Sequence, residues 1–281
     1  MFKAPPQILG HISALKSGSL VTPKYIVAND EGRINLLNRM CPHRFFPIGE
    51  KGEVVQDITC KFHGFSFDVK GSPVNNSYKL PCTSGELGKS GLIIRNFKEP
   101  DHHWVTDLAS ETDLNYSHSM LGKSQGSWLW MHEVQIDLMH IRKGGIHPVL
   151  SQMVNMGATT LDEGENWIIQ TYDIGTAVGW WLLIYPFTFI EWTKGCLAIN
   201  SVVPNNIDEE YGFEWMTQFY YTDEITHAQK EVFELVEPVF HEDVAAIEQL
   251  QRPFSPLTRI ENELEKHPYH FGQWVSRERN K

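Results

Sequence analysis

Two short strings, CPHR at 41–44 and CKFHG at 60–64, place Cys41 and His43 in a C-x-H pair and Cys60 and His63 in a C-x-x-H pair, with sixteen residues between the pairs. Spacings this short need tight turns, so each string presents one thiolate and one imidazole at the tip of a loop. Two such loops facing each other enclose a metal site. Two Cys and two His suit a single zinc ion, or a two-iron cluster with thiolates on one iron and imidazoles on the other. A chain with this pattern has to fold so that two loops meet at one end of a small domain.

The order of the ligands separates these readings. Zinc fingers usually run Cys with Cys and then His with His, whereas an alternating pair with a spacer of this length resembles a Rieske [2Fe–2S] centre. Gly64, Phe65, Phe67 and Asp68 follow His63 as a glycine turn running into a strand. The whole string CKFHGFSFD resembles the second cluster loop of Rieske proteins. Respiratory Rieske subunits carry an additional cysteine in each loop, forming a bridging disulfide. Phe46 and Phe62 stand at those positions here, so the resemblance is to the oxygenase and ferredoxin branch. One departure is that FFPIGE follows CPHR, where that branch usually has a glycine after the arginine.

At 281 residues the chain is too long for a Rieske ferredoxin alone and long enough for one large or two modest domains. No apolar run reaches the ~18 residues of a membrane span, and the first residues lack the layout of a secretory signal. The expectation is a soluble, cytoplasmic protein. Cys82 and Cys196 show no pairing signature and read as small buried hydrophobes.

Charge divides the chain. Residues 1–105 hold 13 Lys and Arg against 9 Asp and Glu, while the remainder holds 11 against 26. The expected boundary is therefore between 1–105 and 106–281. A mildly basic cluster domain joined to a strongly acidic one would attract the acidic part of another copy, or an acidic electron carrier. The acidic total disfavours nucleic acid as a partner.

The first part reads as short strands, YIVAN, RINLL, VVQDITC, FSFDV and LIIRNF, broken by turn residues. In the second part, SWLWMHEVQIDLMHIRKGGIHP sets Glu133, Asp137 and His140 at i, i+4 and i+7, one face of a helix. If that helix continued, His140 and His147 would lie about 10 Å apart along its axis, too far for one ion. Gly144 and Gly145, with Pro148 after His147, supply a break that lets His147 fold back. TYDIGTAVGWWLLIYPFTFIEW and GFEWMTQFYYTDE read as aromatic-rich strands. ITHAQKEVFELVEPVFHEDVAAIEQLQ reads as one or two helices, kinked or restarted at Pro238.

A cluster motif followed by D-x-x-H and a second histidine resembles the α-subunit of Rieske non-haem iron oxygenases. That resemblance implies an α+β fold, with an N-terminal all-β Rieske [2Fe–2S] domain and a C-terminal catalytic domain whose antiparallel sheet is flanked by helices. It implies His140, His147 and a late carboxylate as ligands of a mononuclear Fe(II), two imidazoles and one carboxylate leaving positions open for O2. HEDVAAIEQLQ resembles the late ligand helix and puts Asp243 at the ligand position, with Glu242 as the alternative. Asp137 would link His140 to a cluster histidine, His63, of another chain. Two departures are six residues between the histidines, where the family usually has four, and Val134, where it usually has asparagine.

The activity implied is that of a terminal oxygenase that hydroxylates, dihydroxylates or oxidatively demethylates an organic substrate, aromatic or cyclic by the family's habit. No G-x-G-x-x-G string occurs, so a reductase, a ferredoxin or both would deliver electrons. The resemblance also implies a homotrimer pairing the cluster of one chain with the iron of the next. Two other readings stay open at this point: an electron-transfer or binding protein whose catalytic iron is lost, and a structural zinc protein.

Overall fold

The computed structural model describes residues 5–137, 139–141, 145–153, 160–173, 178–250, 252–260 and 265–279. They group into two compact units. One comprises Gln7–Leu121 with Met216–Asp223, and the other is built chiefly from Gly122–Trp215 and Glu224–Lys281.

The first unit is assembled from short strands: β1 (Gln7–His11), β2 (Ser19–Val21), β3 (Tyr25–Asp30), β4 (Arg33–Asn38), β5 (Val54–Val55), β6 (Ile58–Cys60), β7 (Phe65–Phe67), β8 (Cys82–Ser84), β9 (Glu86–Leu87) and β10 (Leu92–Arg95). They form a five-stranded sheet in the order β5-β2-β3-β4-β8, a three-stranded sheet β1-β10-β9, and the β6-β7 hairpin. Val21, Ile26, Leu37, Ile48, Ile58, Phe67 and Leu80 make one apolar core, and Cys41 and Cys60 belong to it. Each such aliphatic or aromatic side chain stabilises the unit by about 1.5–3 kcal/mol relative to exposure, which fixes the two loops from below. The strands β1, β2, β8 and β9 have no periodic run long enough to be read from sequence. A helix, α1 (His103–Ser110), buries Trp104, Val105 and Leu108.

This unit takes in a segment from far along the chain. The His11 amide donates to Tyr220 Oη at 3.1 Å, and Gln218 Nε2 donates to the Leu9 carbonyl at 3.2 Å. Gly10 lies so close to them that a Cβ there would meet Gln218 Oε1 at 2.8 Å.

The second unit is organised by a seven-stranded sheet. Its strands are β11 (Asn115–Ser127), β12 (Thr160–Glu163), β13 (Trp167–Asp173), β14 (Val178–Ile184), β15 (Thr188–Thr193), β16 (Cys196–Pro204) and β17 (Tyr211–Tyr221), in the order β11-β17-β16-β15-β14-β13-β12. The pairs along β12 to β16 are antiparallel neighbours in sequence, as the aromatic-rich runs predict. Helices α2 (Trp128–Val134), α3 (Leu150–Met153), α4 (His227–Phe233), α5 (Val236–Glu248) and α6 (Lys266–Arg279) accompany it. The α+β class and both domain types therefore match the expectation.

The restart at Pro238 is present. Helix α5 begins at Val236, which puts the proline in its first turn, where its missing N–H is tolerated. The long helix predicted through His140 is not present. Helix α2 stops at Val134, and the Ile136 and Asp137 amides close short turns onto Glu133 and Val134. Asp137 Oδ1 then accepts from the Met139 amide at 2.9 Å. An aspartate that captures an amide two residues on diverts the chain from helix. Gly144, half of the expected break, lies outside the described residues. None of the helices among the described residues is long and apolar enough to cross a membrane.

Candidate metal centres

The first loop pair lies in the first unit. The Cys41 amide donates to the Phe46 carbonyl at 2.9 Å and the Phe45 amide to the Cys41 carbonyl at 2.8 Å, closing one turn. The Gly64 amide donates to the Cys60 carbonyl at 2.9 Å, closing the other. Gly64 sits at φ 71°, and Phe45 at φ 54°. Phe45 is thus the residue at which a glycine would be expected, held in the left-handed region that costs a side-chain-bearing residue about 1–2 kcal/mol. Its ring is 72% exposed.

Both thiols are buried, whereas His43 is half-buried and His63 is exposed. The two Nδ1 atoms lie 3.2 Å apart. Two donors at roughly 2.1 Å from one ion stand about 3.4 Å apart at a tetrahedral angle, so these imidazoles fit a shared metal at the surface end while the cysteines serve the inner end. Aromatic rings surround them. Phe46 and Phe62 stack at 5.3 Å, Phe62 lies 4.3 Å from His63, and His43 packs on Phe65 and Tyr78 at 5.1 Å each.

The second centre is inside the second unit. His140, His147 and Asp243 each direct one donor atom to a common point, all within 4.8 Å of one another. Asp243 Oδ1 is 2.9 Å from His147 Nε2 and 3.6 Å from His140 Nε2. Donors at right angles about an ion roughly 2.1 Å away lie about 3 Å apart, so the spacing fits one ion. His147 Nε2 and Asp243 Oδ1 are buried and carry no hydrogen bond, and a carboxylate buried in this way is costly unless a cation or donor satisfies it. The donor set itself, two imidazoles and one carboxylate, suits ferrous iron and leaves coordination positions free. The six-residue gap does not prevent this meeting, because the histidines sit on turns instead of one helix.

Helix α5 supplies the carboxylate. Phe240, Asp243 and Ile247 form its buried stripe, so a single acidic residue interrupts an otherwise apolar face. Glu242 is not among the three donors. Its Oε2 lies 2.7 Å from His147 Nδ1, which places the proton on Nδ1 and leaves Nε2 as the free donor. The Glu242 alternative is thereby assigned a different position. Burial opposes protonation of His147, yet Asp243 and Glu242 together raise its pKa; His140 is lowered, chiefly by burial.

Asp137 Oδ2 stands 3.9 Å from His140 Nδ1, beyond hydrogen-bond range but beside it. On α2, the Glu133 carboxyl is pushed up to about 8 by burial and by Asp137. Against the two turns, Ile141, Tyr172 and Trp181 form a small apolar cluster with Leu150 and Phe189.

Comparison with known proteins gives the class. Residues 7–86, a span that includes both loops, match the Rieske [2Fe-2S] domain. Over 99% of its length the chain is similar to putrescine 2-hydroxylase of Ralstonia nicotianae, at 24% identity and covering 90% of that protein. Its fold is similar to that of the quaternary ammonium Rieske monooxygenase CntA solved with L-carnitine, with a TM-score of 0.74 at 16% identity, covering 98% of this chain and 89% of the other. NdmA of Pseudomonas putida CBB5 gives a TM-score of 0.56 at 16% identity, with 97% and 89% covered. A Rieske [2Fe-2S] domain, a second His/His/Asp donor set and these likenesses over nearly the whole chain accord with the α-subunit of a Rieske non-haem iron oxygenase. Its cofactors are a Rieske [2Fe–2S] cluster and a mononuclear iron.

Proposed function

We propose that this chain is the terminal component of an oxygenase system, with residues 1–105 carrying the cluster and 106–281 the mononuclear iron. The observation that carries the reading is the convergence of His140, His147 and Asp243, with donor atoms within 4.8 Å of one another, in a chain that also holds a Rieske domain. When bound, the cluster supplies single electrons and the mononuclear iron supplies O2 activation. The side chains do the rest. Cys41, His43, Cys60 and His63 hold the cluster; His140, His147 and Asp243 hold the iron. Glu242 fixes the ring and tautomer of His147, and Asp137 places a carboxyl oxygen beside His140 Nδ1.

The reaction favoured is hydroxylation of an organic small molecule. This accords with the putrescine hydroxylase and the quaternary ammonium monooxygenase among its relatives. A reductase, with or without a ferredoxin, delivers the electrons. The exposed imidazoles of the cluster are positioned for such contact. A homotrimer is supported by the basic first part and acidic remainder, and the structure of one quaternary ammonium Rieske monooxygenase is described as revealing insights into inter-subunit electron transfer. That none of Cys41, Cys60, Cys82 and Cys196 pairs in a disulfide accords with a soluble protein in the reducing cytoplasm.

The test is anaerobic reconstitution followed by metal analysis and turnover. The expected result is about three irons per chain, a cluster's two plus one, a reduced Rieske EPR signal, and O2 uptake coupled to product with a surrogate reductase. Two irons and no turnover with any organic compound would make the chain an electron-transfer protein instead.

A further inference from the structure

The register of the catalytic sheet places one acidic side chain among aromatic ones, close to the iron-binding turns. Trp181 on β14 is the direct cross-strand partner of Gln170 on β13 and of Glu191 on β15, and Tyr172 and Phe189 share that face because side chains alternate along a strand. Ile141 and Leu150 pack on this same patch. Ile141 directly follows His140, and Leu150 stands three residues after His147. The face bearing Glu191 is therefore the one the iron turns cover.

Glu191 is held as a binding group is held. Tyr172 Oη donates to Glu191 Oε1 at 3.2 Å, and the Trp181 side chain donates to the same carboxylate. Tyr172 stacks on Trp181 at 4.4 Å. Room for this arrangement comes from Gly179, the cross-strand partner of Tyr172. A Cβ there would fall 2.3 Å from the Trp192 carbonyl oxygen and 2.6 Å from Tyr172 Oη, so a side chain at 179 would have to displace the β15 backbone and the tyrosine ring that meets the carboxylate.

Among the described residues the carboxylate has no cationic partner, and its two partners are neutral donors. It nonetheless keeps some exposed surface. Burial raises its pKa to about 7, the response expected of a carboxylate enclosed by apolar rings without a counter-charge. A cation entering this site would restore the charged form, and in such low-dielectric surroundings the attraction is strong.

We infer that Glu191, oriented by Tyr172 and Trp181, binds the positively charged nitrogen of the substrate, so that the compound oxidised at the neighbouring iron is an organic ammonium cation. This rests on the oxygenase reading for the word substrate, while the binding site stands on its own geometry. Glu191 is then a specificity-determining residue, and Gly179 a positioning residue acting through Tyr172.

The experiment compares three probes of equal length, n-pentylammonium, n-pentanol and n-pentanoate, on the reconstituted holoenzyme. Binding is followed anaerobically by tryptophan fluorescence, and coupled O2 uptake is recorded separately. The expected result is that pentylammonium binds roughly 30-fold more tightly than pentanol, with pentanoate weakest. Glu191→Gln should abolish that preference while leaving pentanol affinity and the cluster spectrum unchanged. Equal binding of pentanol and pentylammonium to the wild type, or a preference that survives Glu191→Gln, would overturn the inference. Should Glu191→Gln fail to fold, the wild-type comparison decides alone. Cation-selective binding with no coupled O2 uptake by any probe sinks the oxygenase reading and leaves the site. O2 uptake driven by the neutral probe without cation preference does the reverse.

Discussion

His43 and His63 reach the surface on loops whose cysteines stay in an apolar core, whereas His140 and His147 lie inside the catalytic unit with Asp137, Asp243 and Glu242 about them. Among the described residues no carboxylate pairs with either cluster imidazole. The difference follows from the two tasks. An electron can cross an exposed imidazole edge without any atom entering, so the outer end of the cluster needs contact with a partner and little else. Oxygen chemistry needs a dry site in which the ligands are held by further groups before substrate arrives, since buried donors left unsupported would rotate away.

That contrast can be broken by mutation and by acid. The largest effect is expected from Asp243→Ala, which should remove the mononuclear iron and abolish turnover while the cluster's visible spectrum stays intact; metal analysis and absorption check both halves of the statement. Asp137→Asn should retain both metals but lower coupled substrate oxidation on the order of 100-fold, and wild-type rates in that variant would remove Asp137 from the electron path. Glu242→Gln acts one shell further out. It should weaken iron retention by about 10-fold, measured by chelator competition, without touching the cluster.

Acid should separate the units. His132 and His267 in the catalytic unit are buried and lowered to about 3, and His11 in the first unit to about 4, each chiefly by desolvation. Their unfolded forms take up a proton near 6.5. The stability these histidines contribute is thus complete above pH 6.5 and is lost as pH falls toward 4, by about 1.4 kcal/mol per histidine per pH unit. In the catalytic unit Glu133 and Glu191, raised by burial to about 8 and about 7, hold protons in the folded state over the same range and offset His132 and His267. With acid the first unit should therefore weaken, and the catalytic unit far less. Tryptophan fluorescence reports it nearly alone, since eight of the nine tryptophans lie from Trp128 onward; equal slopes for fluorescence and cluster absorption would erase the contrast. The smallest effect is expected of Phe45→Gly, which relieves a left-handed phenylalanine and should raise the thermal stability of the first unit by about 1 kcal/mol.

Legibility in the sequence differed between the same two regions. Cluster ligands lie two and three residues apart, so local turn chemistry alone brings them together, and both loops could be drawn from the string. The iron donors come from positions 140, 147 and 243, and only tertiary packing joins them. Their helical spacing was even misleading, since Asp137 bonds the backbone and ends the helix early. Asp243 carried a signal, a lone acid in a buried stripe between Phe240 and Ile247. Glu191 carries the same signal within TFIEW, hidden there because the aromatic residues around it have a sufficient explanation in sheet packing. Strand β11, polar along most of its length, and helix α6, with its mixed face, offered no periodicity to read.

Gln218 and Tyr220 complete the hydrogen bonding of Leu9 and His11 from more than two hundred residues away. The cluster-bearing unit is consequently not a cassette. Cutting the gene at a single point after residue 121 would strip two backbone groups of β1 of their partners and leave Gly10 facing a gap. A swap of redox modules between related enzymes would have to carry residues 216–223 along with the donor's N-terminal portion, so recombination at one junction is closed to this architecture.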